Sequence, residues 1–98
     1  MEVEYHPAVV SDLNQGFSWY ETHHAGLGAQ FREEVYTAID SIRENPKRYP
    51  RFRGGVRQCL VHRFPWTILY RVIKRRATVR VLVIRHQRRQ PLHGLGRR

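Results

Sequence analysis

Asn45-Pro46 separates two stretches of this chain with different apolar periods, and that switch restricts the fold more than any other feature. Before it the spacing is helical. Val9, Leu13, Gly16, Phe17, Tyr20 and His24 fall on one face, and Leu27, Phe31, Val35, Ala38, Ile39 and Ile42 form a second stripe. Gly26-Leu27-Gly28 breaks the first pattern where the second begins, so two amphipathic helices, near residues 8–24 and 28–45, are predicted to form a hairpin. Proline lacks the N–H that a helix interior needs and pushes the preceding residue towards extended backbone, so the second helix stops at Asn45.

After the switch, β-branched and aromatic residues dominate. Strands are predicted near residues 56–62, 66–73 and 78–86, with Lys74–Ala77 as a turn and Lys47–Gly55 as a basic loop. The alternation of Met1-Glu2-Val3-Glu4-Tyr5 adds a strand near residues 2–6. The order is β-α-α-β-β-β: an α+β domain with the helical hairpin packed on one face of a curved antiparallel sheet. Its 98 residues make one domain, without repeat or linker. The tail beyond Pro91, rich in Arg and Gly, is expected to be mobile.

The turn at Lys74–Ala77 sets a register. Ile73 should pair with Thr78, Val72 with Val79, Arg71 with Arg80 and Tyr70 with Val81. Strict alternation then places Ile68, Tyr70, Val72, Val79, Val81 and Val83 under the helices. Thr67, Leu69, Arg71, Arg80, Leu82, Ile84 and His86 take the outer face. Opposed like charges destabilise a strand pair by roughly 0.2–1 kcal/mol, so Arg71 and Arg80 call either for an anionic partner or for an acid within the chain. Leu69, Leu82 and Ile84 beside them form an apolar strip suited to a covering protein segment.

Charge narrows the partners. Lys and Arg number 18 against 8 Asp and Glu, a formal net charge of +10, and the only lysines are Lys47 and Lys74. Arginine presents a planar fork to phosphates and carboxylates, so the partner is an acidic protein or a nucleic acid. The helices carry Glu21, Glu33, Glu34, Asp40 and Glu44, while the arginines concentrate after residue 46. That distribution argues against a helix entering a DNA groove. A non-enzymatic basic nucleic-acid-binding module remains a separate reading.

Other chemistries lack their signatures. Cys59 is the single cysteine, so no intramolecular disulfide forms. Neither a signal peptide nor an apolar run of spanning length is present, and a cytoplasmic location without membrane contact is expected. His23 and His24 point about 100° apart on a helix, and no metal-ligand spacing occurs, so neither metal nor cofactor is expected. His86 closes the last strand before Gln87-Arg88-Arg89, where it is either an acid–base group or a hydrogen-bonded strand end.

Asp12-Leu13, Trp19-Tyr20-Glu21 and Gly26-Leu27-Gly28 with Phe31 resemble the helical hairpin of RelE/ParE toxins from type II toxin–antitoxin systems. Asn45-Pro46 with Tyr49-Pro50 is similar to that family's exit from the second helix. Arg57, Leu60, Arg63-Phe64-Pro65-Trp66, Ile68, Tyr70-Arg71-Val72, Val81, His86 and Arg88-Arg89 with Pro91 follow its strand pattern, so the resemblance spans residues 3–91. It implies a growth-inhibiting toxin neutralised by a cognate acidic antitoxin, with oligomers formed through toxin–antitoxin assembly. ParE-like members inhibit DNA gyrase; RelE-like members cut mRNA on the ribosome without metal. The ribonuclease branch commonly has Arg three residues before the strand Tyr; here Thr67 precedes Tyr70. With the Phe64-Pro65-Trp66 motif, this favours the gyrase-type branch. The register and the charge place target binding on the outer sheet face and C-terminal end, at Arg57, Arg71, Arg80, His86, Arg88 and Arg89, and the antitoxin is expected on the strip of Leu69, Leu82 and Ile84. In the ribonuclease alternative, His86, Arg57 and Arg71 would be catalytic.

Overall fold

The computed structural model describes residues 1–89 and 93–98. Its elements are β1 (Glu2–Tyr5), α1 (Val9–His23), α2 (Leu27–Glu44), β2 (Arg51–Arg53), β3 (Val56–Leu60), β4 (Trp66–Ile73), a 3₁₀ turn (Lys74–Arg76) and β5 (Thr78–His86). The five strands form one sheet in the order β1-β5-β4-β3-β2. The α+β architecture with a hairpin of helices on a sheet is thus as read from the apolar periods.

Two details differ. β1 runs parallel to β5, from Glu2 beside Thr78 to Tyr5 beside Val81, so the sheet is mixed rather than wholly antiparallel. A four-residue alternation looks the same in either direction, and only the path through α1 and α2 sets it. β2 lies inside the stretch read as a basic loop, where Arg51 and Arg53 pair irregularly with Arg57 and Val56.

The hairpin closes over one face of the sheet. Phe31, Val35 and Ile42 of α2 meet Ile68 and Tyr70 of β4 and Val79 and Val81 of β5, all with no exposed surface. Gly16 lets α1 approach this core: a Cβ there would stand 2.6 Å from the Phe31 ring and 3.0 Å from Trp66. Between the helices, Gly26 takes the left-handed conformation, φ 88°. The Glu21 carboxylate accepts the Gly26 and Gly28 N–H groups, each at 2.9 Å, and so satisfies donors that the start of α2 would leave open.

The opposite face has its own small apolar cluster: Val56, Leu69, Leu82 and Val83, with Phe52 and Leu95 packed on it. Residues 93–98, expected as a mobile tail, are seated here. Gly94, φ 80°, lies so close to Val83 that a Cβ would stand 2.4 Å from its Cγ2. Pro91, where that tail was expected to begin, lies outside the described residues.

Candidate functional site

β4 and β5 follow the predicted register from Ile73–Thr78 to Tyr70–Val81, with Arg71 opposite Arg80. Then Leu69 pairs with Val83 and Ile68 with Ile84, leaving Leu82 as an extra residue. Such a bulge turns every later side chain to the other face. Val83 therefore joins the outer cluster and Ile84 the helix-side core, the reverse of the predicted assignment. His86 moves likewise. It pairs with Trp66, and the two rings meet edge to face at 5.7 Å on the helix side.

Arg85, opposite Thr67, takes the outer face instead. It is buried, donates to the His93 carbonyl at 2.7 Å and stands over the Phe52 ring at 5.2 Å. Desolvation lowers its pKa. Strict alternation would have put this arginine under the helices, which was the one available signal for the bulge.

The predicted target-binding residues fall in three places. Arg71 and Arg80 share the outer face at the turn end. Arg80 donates to Glu4 at 3.3 Å, and Arg76 grips the same carboxylate at 2.9 and 3.1 Å. The Arg76 hydrogen bond is the main cause holding the Glu4 carboxyl below its ordinary value, with Arg80 adding to it. The like-charge pair is thus answered, on the Arg80 side, by an acid of the chain itself. Arg57 is on the helix side, because it pairs with Tyr70. Its guanidinium donates to the carbonyls of Tyr49 (2.7 Å) and Lys47 (3.4 Å), while the Tyr70 hydroxyl donates to Pro46 O. Burial pushes the Tyr70 phenol up to about 12. These contacts tie down the exit from α2.

His86, Arg88 and Arg89 come together at the far end. With Gln15, Trp19, Tyr20, Pro65 and Trp66 they line a cleft of about 620 Å3 between α1 and the ends of β4 and β5. The Arg88 backbone N–H donates to His86 Nδ1 at 3.0 Å, which leaves the ring proton of the neutral form on Nε2. Arg89 is steered by Gln15 Oε1 at 3.1 Å. Trp66 Nε1 donates to the Tyr20 hydroxyl at 3.0 Å, fixing the cleft floor.

The strip predicted to receive an antitoxin is not exposed. Leu69 and Leu82 are fully buried beneath Phe52 and Leu95, and Ile84 lies under the helices. A polar contact that the sequence reading missed closes the strip's edge. β1 pairs with β5 only as far as Val81, so the next backbone groups of β5 lack a strand partner on that side. Asp12 of α1 accepts the Ile84 N–H at 3.0 Å, and Arg97 donates to the Leu82 carbonyl at 3.1 Å. The two side chains join each other at 2.6 and 3.2 Å. Asp12 shares its face with Val9, Gly16 and Tyr20, so an acid on a buried helical stripe was the available clue.

The fold matches solved toxin structures at low sequence identity. A chain of the chromosomal ParDE system from P. aeruginosa superposes with a TM-score of 0.77 at 16% identity, over 88% of this chain and 95% of that one. A mutant of the E. coli toxin RelE in the free state gives 0.72 at 13%, over 97% and 94%. A chain of the intact E. coli RelBE toxin–antitoxin complex gives 0.66 at 14%, over 87% and 94%. No curated protein matches by sequence. The architecture is that of the RelE/ParE toxins. The model of the ParE toxin of type II toxin–antitoxin system, parDE, matches residues 3–91, and the chain belongs to that family. No helix among the described residues is long and apolar enough to cross a membrane.

Proposed function

We propose that this toxin acts in the ParE manner, blocking DNA gyrase and growth until a cognate antitoxin neutralises it. The observation that carries the reading is the separation of His86 from the outer-face arginines by the bulge at Leu82. An in-line cleavage of RNA needs an acid or base and charge-stabilising donors around one phosphate. Here only Arg88 and Arg89 stand beside His86; Arg71 and Arg80 are on the opposite face, and Arg57 is committed to backbone carbonyls. The slot that carries Arg in the ribonuclease branch holds Thr67, which is buried. A basic surface suits an acidic patch on a protein without needing that convergence.

E. coli RelE, which shares the fold, occurs in a complex with its antitoxin. A cognate acidic antitoxin is expected to silence this chain and to build its oligomers. The deciding experiment incubates the purified toxin with DNA gyrase and relaxed plasmid and, in parallel, with ribosome-bound mRNA. Loss of supercoiling, restored by antitoxin, with intact mRNA is the expected result. Cleaved mRNA with normal supercoiling would overturn the proposal in favour of a RelE-like ribonuclease.

A further inference from the structure

The cleft between α1 and the ends of β4 and β5 carries a chemistry that its place in the fold does not require. Its floor is aromatic and apolar, from Trp19, Tyr20, Pro65 and Trp66. Trp19 is 57% exposed, an unusual position for a large apolar ring unless something covers it. The rim holds donors: the guanidinium groups of Arg88 and Arg89, and His86, whose Nδ1 is already occupied by the Arg88 N–H. A guanidinium has five N–H donors, so the bond from Arg89 to Gln15 leaves others unspent. None of the lining residues is acidic. The volume of about 620 Å3 lies within the usual range for sites that enclose a ligand group.

We infer that this cleft is the anchor site for the toxin's protein target, and that it takes a bulky apolar side chain flanked by carboxylates. The inference rests on the reading that the target is gyrase. The apolar group enters between Trp19 and Trp66, and the carboxylates meet Arg88, Arg89 and the His86 edge. Trp, Tyr and Arg around one desolvated socket is the composition in which binding energy concentrates at protein interfaces. A nucleotide would meet the same donors, but the floor is poorly shaped for a stacked base. The rings of Trp19 and Tyr20 stand 86° apart, and His23 already stacks on Trp19 at 3.9 Å. The antitoxin has another surface open to it. The outer side of α1, from Pro7 through Val10 and Asn14 to Thr22, is an uncharged shallow groove suited to an elongated segment; it meets the cleft at Gln15 and Trp19 but does not include the arginines. The cleft instead suits a compact anchor.

The test uses the full chain beside two variants, Trp19→Ala and the double variant Arg88→Gln/Arg89→Gln. Thermal melts should match the wild type, because all three side chains are exposed. The first readout is tryptophan fluorescence during titration with a capped peptide carrying one phenylalanine between four acidic residues, and separately with 5′-AMP. Wild type should bind the peptide, more weakly as salt rises, and each variant should lose about tenfold or more in affinity. The second readout is inhibition of purified gyrase and affinity for the antitoxin. Both variants should need about tenfold more toxin to inhibit, while the antitoxin affinity of the Arg88→Gln/Arg89→Gln variant, whose side chains lie outside the antitoxin groove, stays within about threefold. No peptide binding, tighter binding of 5′-AMP, or undiminished gyrase inhibition by the variants would each overturn the inference. A parallel loss of antitoxin affinity in the Arg88→Gln/Arg89→Gln variant would also overturn it, by giving the cleft to the antitoxin. A wild type that leaves gyrase untouched overturns the target reading instead, and the peptide titration then judges the cleft alone.

Discussion

The two faces of the sheet are sealed by different means. On the helix side, two helices of 15 and 18 residues lay down large apolar groups. Tyr20, Phe31, Phe64 and Trp66 form a run of ring contacts with centroids 4.9–5.4 Å apart. On the outer side, a four-residue cluster is closed by Phe52, by Leu95 and by the polar latch between Asp12 and Arg97. Buried apolar area stabilises without directional demands, whereas a buried ion pair stabilises only while both partners stay in place. The helix side should therefore yield only with global unfolding, and the outer side should open locally while the rest of the fold holds.

The severest test of that contrast is Phe31→Ala. Phe31 is fully buried and touches three other rings, so the cavity should cost about 3–5 kcal/mol, a large share of the ~5–15 kcal/mol that holds a domain of this size. Urea unfolding should show one cooperative transition with a much lower midpoint. A midpoint close to wild type would mean the hairpin is not the dominant seal. Asp12→Ala comes next. It strands the buried Ile84 N–H and leaves Arg97, whose side chain is 18% exposed, without its carboxylate. A loss of about 2–3 kcal/mol is expected in the same assay. A loss below that of the exposed ion pair Arg43→Ala would show the latch to be ornamental.

How much of this was legible in the sequence divides along the same line. The helical hairpin was, because two stripes at helical spacing end at Gly26 and Asn45-Pro46. The register near the Lys74–Ala77 turn was too, since the turn sets it and Arg71 does oppose Arg80. The bulge was hinted at only by Arg85, and its position was not legible, because Leu82, Val83 and Ile84 are all apolar and alternation cannot say which is the extra one. Everything beyond it flipped: Ile84 went under the helices, His86 went to Trp66, and Arg85 emerged on the outer face. Arg57 was misplaced for a simpler reason. Its strand alternates Val56 outward, so Arg57 faces inward beside Tyr70, where the loop carbonyls take its charge. The seated tail was illegible because Gly and Arg read as mobility. Only the partner positions, Val83 for Gly94 and Asp12 for Arg97, make them structural.

Arg97→Ala sharpens the contrast further. Asp12 keeps the Ile84 N–H and gains access to water where the guanidinium stood, so the global loss should be about 1 kcal/mol. Hydrogen exchange should rise more steeply at Leu82–Ile84 than at Phe31–Ile42, because the opening is local. Exchange that rises equally in both segments would show that the two faces unfold as one unit. Combined with Asp12→Ala, the double variant should fall short of the sum of the singles, since both remove one shared contact.

Glu21→Gln carries the smallest expected effect and asks whether the helix side also depends on a polar contact. The Glu21 carboxylate holds the Gly26 and Gly28 N–H groups, and the Gly26 bond is the main cause lowering its pKa from the ordinary 4.5. A folded-state pKa below the unfolded one means that the stabilisation is complete above the unfolded value. It fades as pH falls through the folded value. Glutamine retains one acceptor oxygen but no charge, so the variant should be slightly less stable than wild type at pH 7. That difference should shrink at pH 3, below the ordinary 4.5, where the stabilisation has begun to fade. Urea midpoints of both chains at the two pH values read this directly, and contributions from the other carboxylates cancel between them. A difference that persists unchanged at pH 3 would place the loss in the geometry of the turn rather than in the carboxylate charge. The hairpin joint would then rest on shape, as its core does, in contrast to the Asp12–Arg97 ion pair that closes the outer face.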